Sequence, residues 1–173
     1  SENVAAMVVF RDARPFKANY RKFKIKGFVG QDDYRSMAEV IDRRLSEHQK
    51  GEDAAFATLP DLILLDGGKG QISAVKPVIQ KYGLNIPLYG MVKDSKHRTR
   101  AIASEDGDIE IKPTRKTFTL INAIQDETHR FAISFHQKKR SDSMVKSELL
   151  SIEKKKKKRV EALFKHFKSL KKI

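Results

Sequence analysis

The sequence predicts an α/β fold in which helices flank a mixed β-sheet, and three observations support this prediction. Short apolar runs typical of buried strands recur at residues 4–10, 61–66 and 86–92. Segments with the apolar spacing of an amphipathic helix lie between and after these runs. The chain has 173 residues, of which 39% are hydrophobic, and this is enough for the core of one domain of ordinary size.

The first two strands are expected to pair as an antiparallel hairpin. Residues 4–10 (VAAMVVF) form a nearly continuous apolar run, whereas residues 20–25 (YRKFKI) alternate apolar and basic side chains. Such alternation is typical of a half-buried strand in an antiparallel pair. Residues 11–15 between them have the composition of a turn. Residues 31–48 then have helical spacing, with apolar side chains on one face and charges on the other.

A strand–helix–strand unit follows. Residues 61–66 (DLILLD) form the clearest buried strand of the chain, and residues 67–70 (GGKG) form a turn. Residues 71–82 have the apolar spacing of a helix, and residues 86–92 (IPLYGMV) form another buried strand. This order and spacing predict a βαβ unit with parallel pairing and a right-handed crossover.

The second half of the chain is expected to be mainly helical. After a hairpin around residues 106–108, residues 117–139 read as a long helix, and residues 145–152 and 157–168 as two shorter ones. Antiparallel strands, one βαβ unit and a long helix together are typical of the ribonuclease-H type of fold, although other mixed sheets share this pattern.

The positive charge of the chain is concentrated near its C-terminus. The whole chain contains 36 Lys and Arg against 22 Asp and Glu, for a net charge of +14, and residues 138–173 alone carry fourteen basic and four acidic residues. Such a basic segment predicts a polyanionic partner. The alternative is a solvated, partly disordered lysine tail.

Composition excludes several classes of site. The chain has no cysteine, which excludes disulfides, thiol catalysis and cysteine-based zinc sites. No apolar run approaches the eighteen or so residues that a membrane span requires. The sequence therefore predicts no membrane association.

Asp66 is the residue whose position is most informative about chemistry. It ends a buried strand and precedes two glycines, and the strand ends of α/β sheets open onto the crevice where ligands bind. The alternative is that Asp66 caps the next helix or orders the turn. A phosphate-binding loop would need Ser or Thr after Lys69, where the chain has Gly70, and the dinucleotide-binding pattern is met only in part. A carboxylate that binds a divalent cation remains the third interpretation.

Two further groups are candidate site residues, but each also has a purely structural explanation. Asp32 and Asp33 precede a predicted helix, where acidic side chains stabilise the first turn through the helix dipole. His129 lies on a predicted helix, one position off its apolar stripe, and shares a helix face with His136. The two histidines do not make a zinc signature because no carboxylate stands at a set spacing from them.

Four collinear segments resemble the C-terminal endonuclease domain of the UvrC family, the nuclease of bacterial nucleotide excision repair. They are QDDYRSM at residues 31–37, LPDLILLDGGKGQ at 59–71, GMVKDSKHRT at 90–99 and DETHRFAISFHQKKR at 126–140. The resemblance extends from about residue 4 to residue 148. It implies a ribonuclease-H-like fold and hydrolysis of a DNA phosphodiester on the 5′ side of a lesion, with Mg²⁺ or Mn²⁺ as cofactor.

The resemblance also implies roles for individual residues. Asp66 and His129 match catalytic positions and are the implied metal ligands, although His129 could instead transfer a proton to the leaving oxygen. Asp33 matches a further acidic position that the family requires for activity. The remaining residues in the shared motifs are implied to contact DNA near the scissile phosphate, and they are Lys69, Lys93, His97 and Arg98.

The implied partners are lesion-containing double-stranded DNA, UvrB and, through the excinuclease complex, UvrA, in the bacterial cytoplasm and on the nucleoid during repair. The family has a first catalytic Asp on a strand before the segment that residues 1–4 continue. The expectation is therefore an endonuclease domain that lacks its first strand, has an incomplete active site and is inactive alone. The alternative is a DNA-binding or assembly module without catalytic activity.

The basic segment departs from the family pattern. The family has a helix-hairpin-helix there, with a glycine-containing hairpin, whereas residues 152–156 (IEKKK) contain no glycine. The expectation is an endonuclease domain at residues 1–140, followed at residues 141–173 by a basic helical segment resembling the first half of a helix-hairpin-helix domain. Phosphate contacts would then come from the side chains of Lys154, Lys155 and Lys156.

Overall fold

The fold is described from a computed structural model, which covers residues 3–27, 30, 32–96 and 99–170, without the side chains of residues 135, 136, 139 and 155–170. These are the described residues below. The chain divides into two units, Ser1–Ala132 and Ile133–Ile173. The strands, the buried core and the candidate site all lie in the first unit.

The N-terminal strands form two antiparallel pairs. Strand β1 (Val4–Met7) pairs with β4 (Arg21–Lys24), which confirms the predicted hairpin. The single strand predicted over residues 4–10 is wrong, because the chain leaves β1 after Met7 and forms a second, smaller hairpin from β2 (Phe10–Arg11) and β3 (Arg14–Pro15). The apolar run that suggested one strand is therefore shared between two.

Helix α1 (Asp33–Lys50) confirms the first predicted helix. The side chain of Asp32 caps its N-terminus by accepting a hydrogen bond from the backbone N–H of Arg35, at 3.0 Å. Gly51 ends the helix in the left-handed region, with φ of 69°, as is usual for glycine at a helix C-terminus.

The four-stranded sheet is mixed and has the order β5–β6–β7–β8. Strand β5 (Ile63–Leu65) runs parallel to β6 (Leu88–Lys93), and helix α2 (Lys69–Lys81) connects them, which confirms the predicted βαβ unit. Strands β7 (Thr99–Ser104) and β8 (Gly107–Glu110) add to the sheet as antiparallel neighbours, with the predicted hairpin between them. The predicted α/β class with a mixed sheet is confirmed.

Helix α1 takes part in both hydrophobic clusters of the first unit. Leu45 belongs to the larger cluster between α1, α2 and the four-stranded sheet, and Val40 packs with Phe23 of β4 and Phe56 in the smaller one. The larger cluster consists of Leu45, Ile63, Leu65, Ile72, Val75, Ile79 and Ala103. Burial of these side chains attaches the N-terminal hairpin and the sheet to the same helix.

Helix α3 (Lys116–Leu170) corrects the prediction for the second half of the chain. A helix over residues 117–139 with two shorter helices after it was expected, but the described backbone is one continuous helix. The physical reason is that residues 116–170 contain neither glycine nor proline, so the Ser141–Asp142–Ser143 segment alone does not end the helix. The described backbone is helical through residues 152–156, and the resemblance of residues 141–173 to part of a helix-hairpin-helix domain remains a prediction. The domain boundary at residue 140 remains a prediction.

None of the helices in the described part of the chain is both long enough and apolar enough to cross a membrane.

Candidate active site

Asp66 and Lys93 meet at the carboxyl edge of the sheet. Asp66 directly follows β5, and Lys93 is the last residue of β6, the parallel neighbour of β5. The ammonium of Lys93 lies 2.9 Å from Oδ1 and 3.1 Å from Oδ2 of Asp66. Both side chains are a little more than one-third exposed, at 38% for Asp66 and 36% for Lys93. The site thus presents a carboxylate paired with a lysine ammonium, and both groups are open to solvent.

The turn after Asp66 is pressed against β6. A Cβ atom placed on Gly90 would fall 2.0 Å from the backbone oxygen of Gly67, so only glycine permits this approach. The backbone N–H of Gly68 donates to Oε1 of Gln71 at 2.9 Å. Because Gln71 of α2 already accepts a hydrogen bond from this amide, the amide is not available to bind a phosphate. This agrees with the sequence, which lacks the Ser or Thr that a phosphate-binding loop needs after Lys69.

The N-terminus of α1 lies beside the N-terminus of α2. A Cβ on Gly70 would meet the ring of Tyr34 at 2.7 Å, so the aromatic ring lies directly over this glycine. Asp33 is exposed and is the acidic residue of the first turn, whereas Asp32 does the capping. No hydrogen bond or ion pair among the described residues joins Asp33 to Asp66 or to His129, so its assignment stays a prediction.

His129 is connected to the same edge of the sheet through α3. Asn122 Oδ1 accepts a hydrogen bond from the N–H of Thr99 at 3.3 Å, and the Thr99 hydroxyl bonds to the side chain of Gln125. Thr99 begins β7 and pairs with Lys93. Residues 122 and 129 are two helical turns apart and share a face, so exposed His129 lies about 10 Å along the helix from Asn122.

The opposite face of α3 is attached to Tyr20, the residue before β4, by a network of hydrogen bonds that includes one ion pair. The carboxylate of Glu127 accepts two hydrogen bonds from Arg130, both at 2.7 Å, and one from the Tyr20 hydroxyl at 2.9 Å. The bonds from Arg130 lower the pKa of Glu127 to about 2. Burial and the hydrogen bond to Glu127 raise the pKa of Tyr20 to about 12. At neutral pH Glu127 is therefore ionised and the Tyr20 hydroxyl is protonated, and their hydrogen bond attaches this turn of α3, close to His129, to Tyr20.

Sequence reasoning missed the residues that position His129. The spacing of Glu127 and Arg130, three residues apart on a helix, is a signal from which their ion pair could have been predicted. No local signal predicts the contact of Tyr20 with Glu127, because 107 residues separate them. The same is true of Thr99 and Gln125.

The remaining predicted DNA-contact residues are distributed over several elements. Lys69 is exposed at the first position of α2, and Lys154 is exposed on α3. His97 and Arg98 lie outside the described residues, as do the side chains of Lys155 and Lys156. Of the predicted DNA-contact residues, Lys93 therefore lies beside Asp66. DNA contacts by all of these residues remain predictions.

The fit of a divalent cation rests on the Asp66 carboxylate. No group of three or more His, Cys, Asp or Glu side chains that could hold a metal ion occurs among the described residues. Mg²⁺ is commonly held by one or two carboxylates together with waters and substrate phosphates. The ammonium of Lys93 pairs with both oxygens of this carboxylate, so it would have to leave at least one of them before a divalent cation could bind there. Asp66 thus fits the ion as one ligand of a set completed by other groups.

Comparisons with known proteins converge on one family. A family model described as the UvrC RNAse H endonuclease domain matches residues 1–133. The UvrABC system protein C of Thermoanaerobacter sp. (strain X514) is 52% identical, over 99% of this chain and 30% of its own length. The corresponding proteins of Finegoldia magna and Clostridioides difficile are 45% and 43% identical, over 99% and 98% of this chain and 29% and 26% of their own lengths. The chain thus spans less than one-third of the relatives it matches.

Proposed function

This chain belongs to the UvrC RNAse H endonuclease domain family, and we propose on that basis that it hydrolyses a DNA phosphodiester on the 5′ side of a lesion during nucleotide excision repair. The proposed substrate is lesion-containing double-stranded DNA. The proposed partners are UvrB and, through the excinuclease complex, UvrA, and the proposed place of action is the bacterial cytoplasm and nucleoid. We propose this activity for the chain acting with these partners and with further metal ligands, since the relatives it matches are more than three times its length.

The observation that carries the proposal is the Asp66 carboxylate at the carboxyl end of β5, where it pairs with the ammonium of Lys93. This is the edge at which α/β sheets bind their ligands. Duplex DNA repels an isolated carboxylate, so a nuclease site of this kind needs a cation between the two. When no other cation is bound, the ammonium of Lys93 supplies this positive charge beside Asp66.

We assign the divalent cation, Mg²⁺ or Mn²⁺, to Asp66, with other ligands supplied by the substrate phosphate and by further side chains. A bound ion of this kind supplies a water of lowered pKa and neutralises charge on the phosphate. Lys93, close to Asp66, is then suited to bind a non-bridging phosphate oxygen. Lys69, exposed at the first position of α2, is proposed as a second phosphate contact.

His129 has two proposed roles that an experiment can separate. Its imidazole is exposed, and no hydrogen bond holds it to another described residue, so it is free either to protonate the leaving oxygen or to join the metal ligands. Asp33, at the neighbouring N-terminus of α1, is proposed as an additional acidic group of the site.

Replacing Asp66 with asparagine tests the proposal. In the full-length protein, with UvrA, UvrB and a lesion-containing duplex, Asp66→Asn should lower the rate of 5′ incision by about 100-fold or more. The expected circular dichroism spectrum is that of the wild type, because the shape of the side chain is kept. Asp61→Asn is the matched control, since Asp61 is exposed at the other end of the same strand, and it should cut normally. Incision by Asp66→Asn at the wild-type rate would refute the assignment.

The role of His129 follows from two measurements on His129→Ala. If the imidazole transfers a proton, incision falls while Mn²⁺ binding, followed by electron paramagnetic resonance, is unchanged. If it is a metal ligand, both fall. Normal incision by this variant would remove His129 from the site altogether.

The second candidate function is a DNA-binding or assembly module without catalytic activity. The single carboxylate–cation pair at the described site favours it for the isolated 173-residue chain, because further metal ligands are needed. We therefore propose that the isolated chain binds DNA without cutting it. A nicking assay of this chain on a damaged duplex with Mg²⁺ or Mn²⁺ tests this, and metal-dependent nicking would contradict it.

A further inference from the structure

Positive charge in the first unit is concentrated in one short stretch. Residues 11–26 contain seven Lys and Arg residues and one acidic residue. Several of the seven are already engaged: Arg21 forms a two-bond ion pair with Asp53, at 2.9 and 3.1 Å, and Lys22 lies 4.4 Å above the ring of Phe131. The exposed cations at the beginning of the stretch lie on the small hairpin of β2 and β3.

This basic hairpin (residues 10–17) places two arginines directly opposite each other. Arg11 and Arg14 are register partners across the β2–β3 pair. Like charges at opposed positions of an antiparallel pair repel each other. Neither guanidinium forms an ion pair with a carboxylate among the described residues, so the repulsion is not offset within the fold.

The turn of the basic hairpin is also conformationally unfavourable. Asp12 and Ala13 have φ angles of 52° and 60°, in the left-handed region. A two-residue turn of this kind favours glycine at its second position, and alanine has a Cβ that disfavours the conformation. Two locally unfavourable features therefore coincide on one exposed hairpin, as happens where a surface is shaped for a ligand.

One of the two arginines is held in place. The guanidinium of Arg11 stacks on the ring of Phe16, 4.0 Å from its centroid. A stacked guanidinium loses less conformational freedom when it binds phosphate and keeps its N–H donors available at the edge of its plane.

The basic hairpin leads toward the candidate active site. It ends at Lys17, whose positive charge helps to lower the pKa of Glu127. Tyr20, three residues further on, donates its hydroxyl hydrogen bond to Glu127, two residues before His129 on α3. The basic hairpin is therefore followed, three residues after its end, by a residue that contacts α3 two positions before His129.

We propose that the basic hairpin is a DNA-contact surface outside the incision site, where Arg11 and Arg14 bind phosphate groups of the duplex. This inference rests on the proposed function, since it takes the partner to be DNA. The repelling arginine pair gains most from a ligand with closely spaced negative charges, and the DNA backbone provides these at a regular spacing.

The salt dependence of DNA binding by the full chain tests the inference. Each phosphate contact contributes about 0.9 to the slope of log affinity against log salt concentration for duplex DNA. Arg11→Gln/Arg14→Gln should therefore reduce the slope by about 1.8. Between 50 and 200 mM salt the wild type should lose about 12-fold more affinity than the double variant. The probe is a short fluorescein-labelled duplex, and binding is followed by fluorescence anisotropy.

Two further variants make the result specific. Lys76→Gln/Arg100→Gln removes the same formal charge from residues paired with Glu105 and Asp108, and it should keep the wild-type slope. Arg11→Lys/Arg14→Lys keeps the charge and should stay close to the wild type. Thermal unfolding of all variants reports whether the fold is intact. An unchanged slope in Arg11→Gln/Arg14→Gln, or an equal reduction in both charge-removing variants, would overturn the inference.

The incision assay separates this inference from the proposed function. If the full-length protein cuts damaged DNA, loses this activity with Asp66→Asn and keeps a normal salt slope with Arg11→Gln/Arg14→Gln, only the hairpin assignment fails. If the wild-type protein does not cut, the proposed function fails, whereas a reduced slope in the double variant still supports the hairpin as a DNA contact.

Discussion

Gly90 is the residue that keeps Asp66 in place at the edge of the sheet. The backbone oxygen of Gly67 occupies the space where any other residue at position 90 would have its Cβ. Asp66 precedes Gly67 directly, so a shift of this turn would move the carboxylate relative to Lys93. The geometry of the candidate site thus depends on a glycine that itself has no functional group.

Replacing Gly90 with alanine should therefore affect both stability and the site. We expect Gly90→Ala to lower the free energy of unfolding by about 1–3 kcal/mol, because the backbone must move to admit a Cβ. Urea denaturation measures this change.

Gly68→Ala is the control for this prediction, because a Cβ on Gly68 meets nothing within 4 Å. It should cost less than about 1 kcal/mol. Equal losses in the two variants would show that the approach of Gly67 to Gly90 does not constrain the fold.

Helix α3 is the element that joins the two halves of the first unit. One of its faces bonds to Thr99 at the beginning of β7, and another packs on Tyr20 through Glu127 and Phe131, whose ring centroid is 5.0 Å from that of Tyr20. His129 follows the first attachment and lies between Glu127 and Phe131, the two residues of the second. The position of the imidazole is therefore determined from both sides, although the imidazole itself is exposed.

The pH dependence of stability reports on the attachment through Glu127. Its pKa falls from 4.5 to about 2 on folding, so its stabilisation is complete above pH 4.5 and is lost as the pH falls toward 2. Glu127→Gln should lower the free energy of unfolding at pH 7 by about 1–2 kcal/mol. The variant should also lose less stability than the wild type between pH 4.5 and 2.

Denaturation curves over this pH range check the prediction. Glu153→Gln, an exposed change on the same helix, should shift stability by less than about 0.5 kcal/mol at any pH. Parallel acid profiles for Glu127→Gln and the wild type would mean that the Tyr20–Glu127–Arg130 network does not contribute to folding.

At the scale of the whole molecule, burial and charge are divided between different parts of the chain. Every buried hydrophobic residue of the described core precedes residue 122, and the large apolar side chains of the described residues beyond Ala132 are exposed. The exposed ones on α3 are Ile133, Met144, Val145, Leu149, Leu150 and Ile152. Stability and electrostatic attraction to DNA should therefore be separable by truncation.

Removing residues 141–173 tests this separation and the predicted domain boundary together. The truncation deletes eleven basic and four acidic residues but no member of the described core. We expect the free energy of unfolding to change by less than about 0.5 kcal/mol, while DNA affinity and its salt slope both fall. A large loss of stability would show that the segment belongs to the folding unit and that the boundary at residue 140 is wrong.

Local patterns were sufficient for β5, α2 and β6 but not for the contacts that form the site. The apolar run before Asp66 and the glycines after it predicted β5, α2 and β6, because their residues are adjacent in the chain. The pairing of Asp66 with Lys93 bridges 27 residues, and that of Tyr20 with Glu127 bridges 107, so neither has a local signal. The continuity of α3 was not predicted because apolar spacing indicates separate helical segments at residues 117–139, 145–152 and 157–168, although no glycine or proline separates them.

The Asp66–Lys93 ion pair has a consequence for how DNA and a divalent cation would occupy the site together. An ion pair this exposed contributes about 0–1 kcal/mol, so it exchanges readily for other partners. A phosphate that drew the ammonium away would leave the Asp66 carboxylate free to hold a divalent cation, and Asp66 holding such a cation would leave the Lys93 ammonium free for the phosphate. With the cation assigned to Asp66 as proposed, each ligand strengthens the binding of the other, and this thermodynamic coupling is reciprocal.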